Sequence, residues 1–353
     1  MLRITEAFGQ EKLQYWGISY GSVPGATFAA MFPDKVGRVV IDGVLDMEAW
    51  YFANLTNEMV DIDTGVQMFA DGCFAAGPDD CAFYAPSSAQ ITANLESVRT
   101  NPIPVITPIS YNVFSYSSLK NTIFDSLAEA SSLFQVLAEG LADLAKGNAS
   151  TIYTAFIETP PFECAADFNS TSPPIPFHEN VFEVMVSISC GDAVPVNDTV
   201  LELQKFYSEG QKVSNFADLG TDLRVWCAGW KVYREGRFAG PFGAANTSFP
   251  LLVIGNTVDP VTPILGAEKP AKAFPGSVLL TLDAVAHTSV NAPSTCVFGY
   301  LRQYFVNGTL PNVGTNDTET ALLIDSTPGV RILVARAWVF LLRPQTPWNG
   351  AGF

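Results

Sequence analysis

The sequence predicts the α/β class, with a mostly parallel sheet interrupted by a large helical cap insertion. Three observations carry this. First, four short apolar runs read as strands: "LQYWGIS" at residues 13–19, "RVVIDG" at 38–43, "PLLVIG" at 250–255 and "SVLLTL" at 277–282. Unbroken apolar runs of this length suit strands buried on both faces, as parallel strands are. Second, the first two runs are joined by "GSVPGATFAAMFP", a helix-length apolar stretch closed by Pro33. Strand, helix and strand make one βαβ unit, which requires a right-handed crossover. Third, the chain between the second and third runs has a different character. It holds five of the seven N-x-S/T sequons, five of the six cysteines and the proline-rich tract "TSPPIPF". Helical spacing recurs in it, as in "SSLFQVLAEGLADLAKG" at 131–147, which Gly147 ends. Such an insertion reads as a cap over the C-terminal ends of the strands, where open α/β sheets bind ligands.

The expected boundaries are a first core segment at 1–46, the insertion at 47–230 and a second core segment at 231–353. A short helix is expected from Leu2 to Phe8 with Gly9 as its stop, another between the third and fourth strands, and a last one at about 328–342 covering the sheet. Apolar residues make up 48% of the chain and charged residues 15%, which supplies a large core and argues against disorder. The 19 basic and 35 acidic residues give a net charge of −16. That excludes a nucleic-acid partner, which needs a basic face, and electrostatic docking on anionic lipid. The most apolar tract, "VRILVARAWVFLL", is too short to span a bilayer and contains two arginines, so no membrane partner is expected.

Cys73, Cys81, Cys164, Cys190, Cys227 and Cys296 include no C-x-x-C pair, and the chain has two histidines. Zinc does not fit such a set, and no metal or other cofactor is expected. Disulfides fit better, and they imply an oxidising compartment. Sequons at Asn54, Asn148, Asn169, Asn197, Asn246, Asn307 and Asn316 agree with a secreted glycoprotein. The opening "MLRITEAFGQEKLQYWG" has no basic head followed by an apolar run, so a leader is expected upstream and Met1 is read as an internal methionine.

Chemistry enters at "YWGISYGSVPG". Gly17-Ile18-Ser19-Tyr20-Gly21 follows an apolar strand and opens an apolar helix. A serine on a tight strand-to-helix turn needs glycines two residues to either side, where the backbones cross. A serine nucleophile needs a general base, and histidine suits neutral pH. His178 lies in "PPIPFHENV" inside the insertion and reads as a surface residue. His287 follows the last strand, after every acid candidate, which gives the chain order Ser, acid, His. The acid that orients the imidazole is read as Asp259 in "NTVDPVTP". Its rival is Asp283, four residues before His287.

The segments "YWGISYGSVPGATFAAMFPDKVGRVVIDGVLD", "CAGW", "FPLLVIGNTVDPVTP", "AHTSVNAPSTC" and "YFVNGTLPNVGT" resemble the tripeptidyl aminopeptidase-like α/β hydrolases, most closely their fungal secreted members, within the proline iminopeptidase group of serine peptidases. The resemblance covers both core segments well and the insertion loosely. It implies the α/β-hydrolase fold, of which this chain would supply the C-terminal half. It also implies exopeptidase chemistry on a peptide substrate through an acyl-enzyme, with Ser19 as nucleophile, His287 as proton carrier and Asp259 as acid. The backbone N–H of Tyr20 would be one oxyanion donor. The family's other donor and its earlier strands would precede Met1, so the chain alone is expected to be poorly soluble or weakly active. By resemblance and sequence proximity, Cys190 pairs with Cys227 and Cys73 with Cys81, leaving Cys164 and Cys296 unassigned. The cysteine that family members carry after "GTLPxxGT" is replaced here by "GTND". Glu163 and Asp192 are candidates, by location, for holding a substrate ammonium. An esterase or lipase on the same fold, or a non-catalytic fragment, are the alternative functions.

Overall fold

The computed structural model describes residues 1–98, 102–158 and 181–318. The first core segment contains α1 (Leu2–Ala7), β1 (Leu13–Ile18), α2 (Ser22–Met31) and β2 (Val36–Asp42). Gly9 ends the first helical stretch with φ +69°, a conformation open to glycine without steric cost. The second core segment contains β5 (Leu252–Val258), α12 (Ile264–Ala273), β6 (Val278–Val285), α13 (Thr288–Asn291), α14 (Thr295–Asn307) and β7 (Asn316–Asp317). These strands form one parallel sheet in the order β1-β2-β5-β6-β7. β2 and β5 are hydrogen-bonded neighbours, so more than 200 residues of intervening chain leave and return without breaking the ladder.

Both faces of this sheet are covered, which is why its strands read as unbroken apolar runs. Val39, Ile41 and Val253 face α2 and α12, packing with Val23, Ala26 and Phe28. The alternate residues Val40, Leu252, Ile254, Leu280 and Leu282 face α14, against Val297, Leu301 and Tyr304. The period of two is the pleat of the strand.

Between β2 and β5 the insertion is largely helical: α3 (Met47–Tyr51), α4 (Ile62–Ala76), α5 (Ser88–Ser97), α6 (Tyr116–Ala128), α7 (Ala130–Leu144), α8 (Ser150–Phe156), α9 (Val181–Asp192), α10 (Val200–Gly210) and α11 (Ala217–Gly229). It also contains an antiparallel hairpin, β3 (Ile103–Ile106) with β4 (Tyr111–Phe114), which the helical reading of this stretch did not anticipate. Its own core is built around Phe69, Phe134, Leu137, Leu141 and Ile152. Cys73–Cys81 and Cys190–Cys227 are disulfides with Cα separations of 5.4 and 5.1 Å, as the resemblance implied. The helix expected at 328–342 lies outside the described residues, as do His178, Glu163 and Cys164. β1 is the edge strand of the sheet among the described residues.

Candidate active site

Ser19 sits where β1 becomes helix, in the turn Ser19–Gly21 that runs into α2. Its φ is +56°, a region that a non-glycine residue enters only when the surroundings force it. The forcing is visible in the neighbours. A Cβ on Gly17 would lie 2.2 Å from the Gly21 carbonyl oxygen and 2.4 Å from the Tyr15 ring, so strand and helix can cross only with glycine there. The Tyr15 hydroxyl donates to the Gly21 carbonyl at 2.8 Å, and the Ser22 hydroxyl donates to the Ser19 carbonyl at 2.6 Å. The result is a buried serine Oγ at the C-terminal end of the sheet with no hydrogen-bond partner among the described residues.

Asp259 follows β5 and is fully buried. His287 Nδ1 lies 3.0 and 3.1 Å from its two carboxylate oxygens. The rival, Asp283, is exposed on β6 and accepts a hydrogen bond from the Thr257 hydroxyl instead. Asp259 Oδ1 also accepts from the amides of Val261 and Thr262, at 2.9 and 2.8 Å, and Oδ2 accepts from the amide of Thr288 at 3.1 Å. The Thr262 hydroxyl donates to Oδ2 at 2.8 Å and stands 3.1 Å from His287 Nδ1. A carboxylate can only accept, so the threonine proton goes to Asp259 and the proton between ring and carboxylate sits on Nδ1. That leaves Nε2 as the basic nitrogen. It too is buried and has no partner among the described residues. The Ser19 hydroxyl and the His287 Nε2, both without a partner among the described residues, are the two groups that a serine hydrolase must bring together.

The His287 turn is held from several sides. Asn256 Nδ2 donates to the carbonyls of Ala286 and Thr288, at 2.7 and 2.9 Å, bracketing the histidine. The His287 amide donates to the carbonyl of Ala128 at the end of α6, so the insertion supports the site directly. Two further carboxyls lie behind Asp259. Asp61 accepts from the Asp259 amide, and burial followed by repulsion from Asp259 raises its pKa to about 6. Burial, then the nearby Asp46, raises that of Glu58 to about 8.

Tyr20 follows Ser19 at the head of the helical run, which places its amide at a positive helix end. Its ring packs on Trp50 at 5.0 Å, and its hydroxyl donates to Asp192 at 2.8 Å. Trp50 Nε1 donates to the same carboxylate oxygen at 3.3 Å. Burial and the Asp192 carboxylate push the Tyr20 phenol well above its ordinary value. Asp192, at the end of α9, therefore reaches the residue beside Ser19. Thr262, Asn256, Glu58 and Asp61 were not legible as site residues, because each is an ordinary polar residue in a loop or at a strand end.

Sheet order, elbow and acid–histidine pair together decide the architecture. This is an α/β-hydrolase fold. Residues 1–78 match the family model described as alpha/beta hydrolase fold, and residues 213–319 match that described as TAP-like protein. Serine protease Hip1 of Mycobacterium tuberculosis is 26% identical over 333 residues, covering 88% of this chain and 59% of the relative. Tripeptidyl aminopeptidase of Streptomyces coelicolor is 24% identical over 339 residues, covering 92% of this chain and 57% of the relative. Carboxylesterase B of Mycobacterium tuberculosis is 31% identical over 120 residues, or 33% of this chain. The chain thus spans less than three-fifths of the length of the first two relatives.

Proposed function

We propose that the protein is a serine hydrolase acting through Ser19, His287 and Asp259, and that it is an exopeptidase releasing short peptides or amino acids from free peptide N-termini. The single observation that carries the chemistry is the Asp259–His287 pair set at the end of the same sheet as a serine held at φ +56°. In the reaction, Ser19 Oγ bonds to the scissile carbonyl carbon as its proton passes to His287 Nε2. Asp259 stabilises the imidazolium, and the Tyr20 amide donates to the developing oxyanion. The tetrahedral intermediate collapses by breaking the C–N bond, and Nε2–H protonates the leaving amine. Water, deprotonated by the same nitrogen, then releases the acyl group from Ser19.

Asp192 supports the exopeptidase reading. Its carboxylate is fixed by Tyr20 and Trp50 beside the nucleophile, where a substrate ammonium would meet a charge and two aromatic rings. The residues on either side of the insertion, 1–46 and 231–353, are read as the catalytic core and 47–230 as its cap. With two disulfides and the sequons, we place the protein outside the cell, as in the fungal secreted branch. The local similarity to a carboxylesterase makes esterase activity the second reading.

A fluorophosphonate probe tests the nucleophile. Wild type should label, Ser19→Ala should not, and Asp259→Asn should label far more slowly; persistent labelling of Ser19→Ala would refute the assignment. Aminoacyl and tripeptidyl anilides against short acyl esters then test the substrate class. The exopeptidase reading requires that blocking the substrate's N-terminus abolish cleavage, and that Asp192→Asn raise KM for the unblocked anilide.

A further inference from the structure

A second carboxylate stands close to His287, in the interior of the sheet. Asp42 is the last residue of β2 and is fully buried. In register it faces Ile18, the residue before the nucleophile, on one side and Ile254 of β5, the strand that leads to Asp259, on the other. Three groups donate to it. The Ser289 amide reaches Oδ1 at 3.0 Å, and the Ser289 hydroxyl and Trp16 Nε1 reach Oδ2 at 2.6 and 3.3 Å. An amide and an indole have only a proton to give, so this environment is built for an ionised carboxylate. Burial raises the Asp42 pKa above its ordinary value, and the Ser289 and Trp16 donors and the His287 ring offset part of that rise.

The arrangement is costly for a purely structural role. An anion buried in a sheet is tolerated only where specific partners hold it. Its partners here belong to the two pieces of chain that must meet for catalysis. Trp16 lies in β1, three residues before Ser19, and Ser289 lies two residues after His287. Between them the backbone is held out of its usual range, with Thr288 at φ +69°, a conformation that a β-branched residue adopts only under constraint. The turn after β2 closes on the same point, since a Cβ on Gly43 would lie 2.4 Å from the Thr288 side chain.

We infer that Asp42 is a positioning residue for the hydrolase reaction: its ionised carboxylate ties the His287 turn to the nucleophile strand and adds a second anion that stabilises the imidazolium. The inference rests on the Ser19–His287–Asp259 reading. Among the described residues, the other ionisable groups around His287 are Asp259 on Nδ1, Asp61 and Glu58 behind Asp259, and Glu129, which follows Ala128 in the chain. The cation on that side, Lys269, is paired with Asp46.

The test is the pH dependence of fluorophosphonate labelling in the full-length protein, which needs no knowledge of the natural substrate. Labelling forms the Ser19 Oγ–P bond, expels fluoride and sends the serine proton to His287, so its acid limb reports protonation of that ring in the free enzyme. Asp42→Asn keeps the side-chain shape and removes the charge. The plateau rate should fall roughly tenfold, and the acid limb should move to lower pH by about half a unit or more, because the imidazolium has lost an anion. A slower variant whose limb coincides with wild type would overturn the inference, since a loss of packing alone does not move a titration. Where Asp42→Asn does not fold, Trp16→Phe/Ser289→Ala gives the second arm. It removes both donors to Oδ2, so Asp42 takes up a proton and the limb should move the same way. Failure of both variants to fold would leave Asp42 a folding role only and overturn the proposal. Labelling that survives Ser19→Ala overturns the triad reading instead, which keeps the two failures apart.

Discussion

Thr262 shows how much of the site depends on a single hydroxyl. Its proton satisfies Asp259 Oδ2, its oxygen stands against His287 Nδ1, and its amide donates to Oδ1. Thr262→Val keeps the shape and the amide bond and removes only the hydroxyl. Losing one buried hydrogen bond to a carboxylate is worth about 1–2 kcal/mol, so kcat should fall roughly five- to thirtyfold with little change in KM. A KM rise with unchanged kcat would place Thr262 in substrate binding instead. The residues proposed to perform bond chemistry are those the sequence made legible. Ser19 was marked by its flanking glycines, His287 by the scarcity of histidine and Asp259 by its place after a strand. The residues that hold them were not, with one signal passed over. Asp42 closes the run "VVIDG", and a carboxylate ending a strand buried on both faces is a position that demands partners.

At the scale of elements, the strands of the core were legible because burial on both faces leaves few other uses for four to six consecutive apolar residues. The hairpin β3–β4 was not, since Ile106, Tyr111 and Val113 face solvent and its residues carry no clean alternation. β7, two residues long, is defined by pairing with Thr281 and Leu282 of β6 and has no pattern of its own. The return path of the insertion is fastened by Cys190 in α9 and Cys227 in α11, both buried with Ala53, Val196 and Leu223. With a sequence separation of 37, chain entropy assigns this disulfide about 4 kcal/mol, against about 2.5 kcal/mol for Cys73–Cys81 at a separation of 8. The double variant Cys190→Ala/Cys227→Ala should therefore lower the denaturant midpoint more than Cys73→Ala/Cys81→Ala does. It should also weaken activity, because α9 carries Asp192 to Tyr20. Equal losses of stability, or an activity unchanged in the folded Cys190→Ala/Cys227→Ala protein, would separate α9 from the site.

Over the whole molecule, core and insertion meet at a group of carboxyls. Asp46, at the end of the first core segment, caps α3 and pairs with Lys269 of α12. Glu58 accepts from the Asp46 amide, and Asp61 accepts from the Asp259 amide, so the start of the insertion is bonded to both core segments. None of this was visible in "TNEMVDIDT", which carries no motif that singles out Glu58 or Asp61. Glu58 Oε2 is buried without a partner among the described residues, the mark of a carboxyl kept protonated by the fold. Its pKa rises from 4.5 to about 8, and that of Asp61 from 3.8 to about 6. An acid whose folded pKa is raised binds more protons folded than unfolded between the two values. Its contribution to stability therefore falls as pH rises through that window, from about 4.5 to 8 for Glu58. Glu58→Gln keeps the acceptor for the Asp46 amide and cannot ionise. It should leave the melting temperature near the wild-type value at pH 4.5 and exceed it by at least about 2 °C at pH 8, with the gap widening between. A gap that stays constant or closes with rising pH would mean that Glu58 is ionised in the fold, with Lys269 rather than a retained proton compensating it.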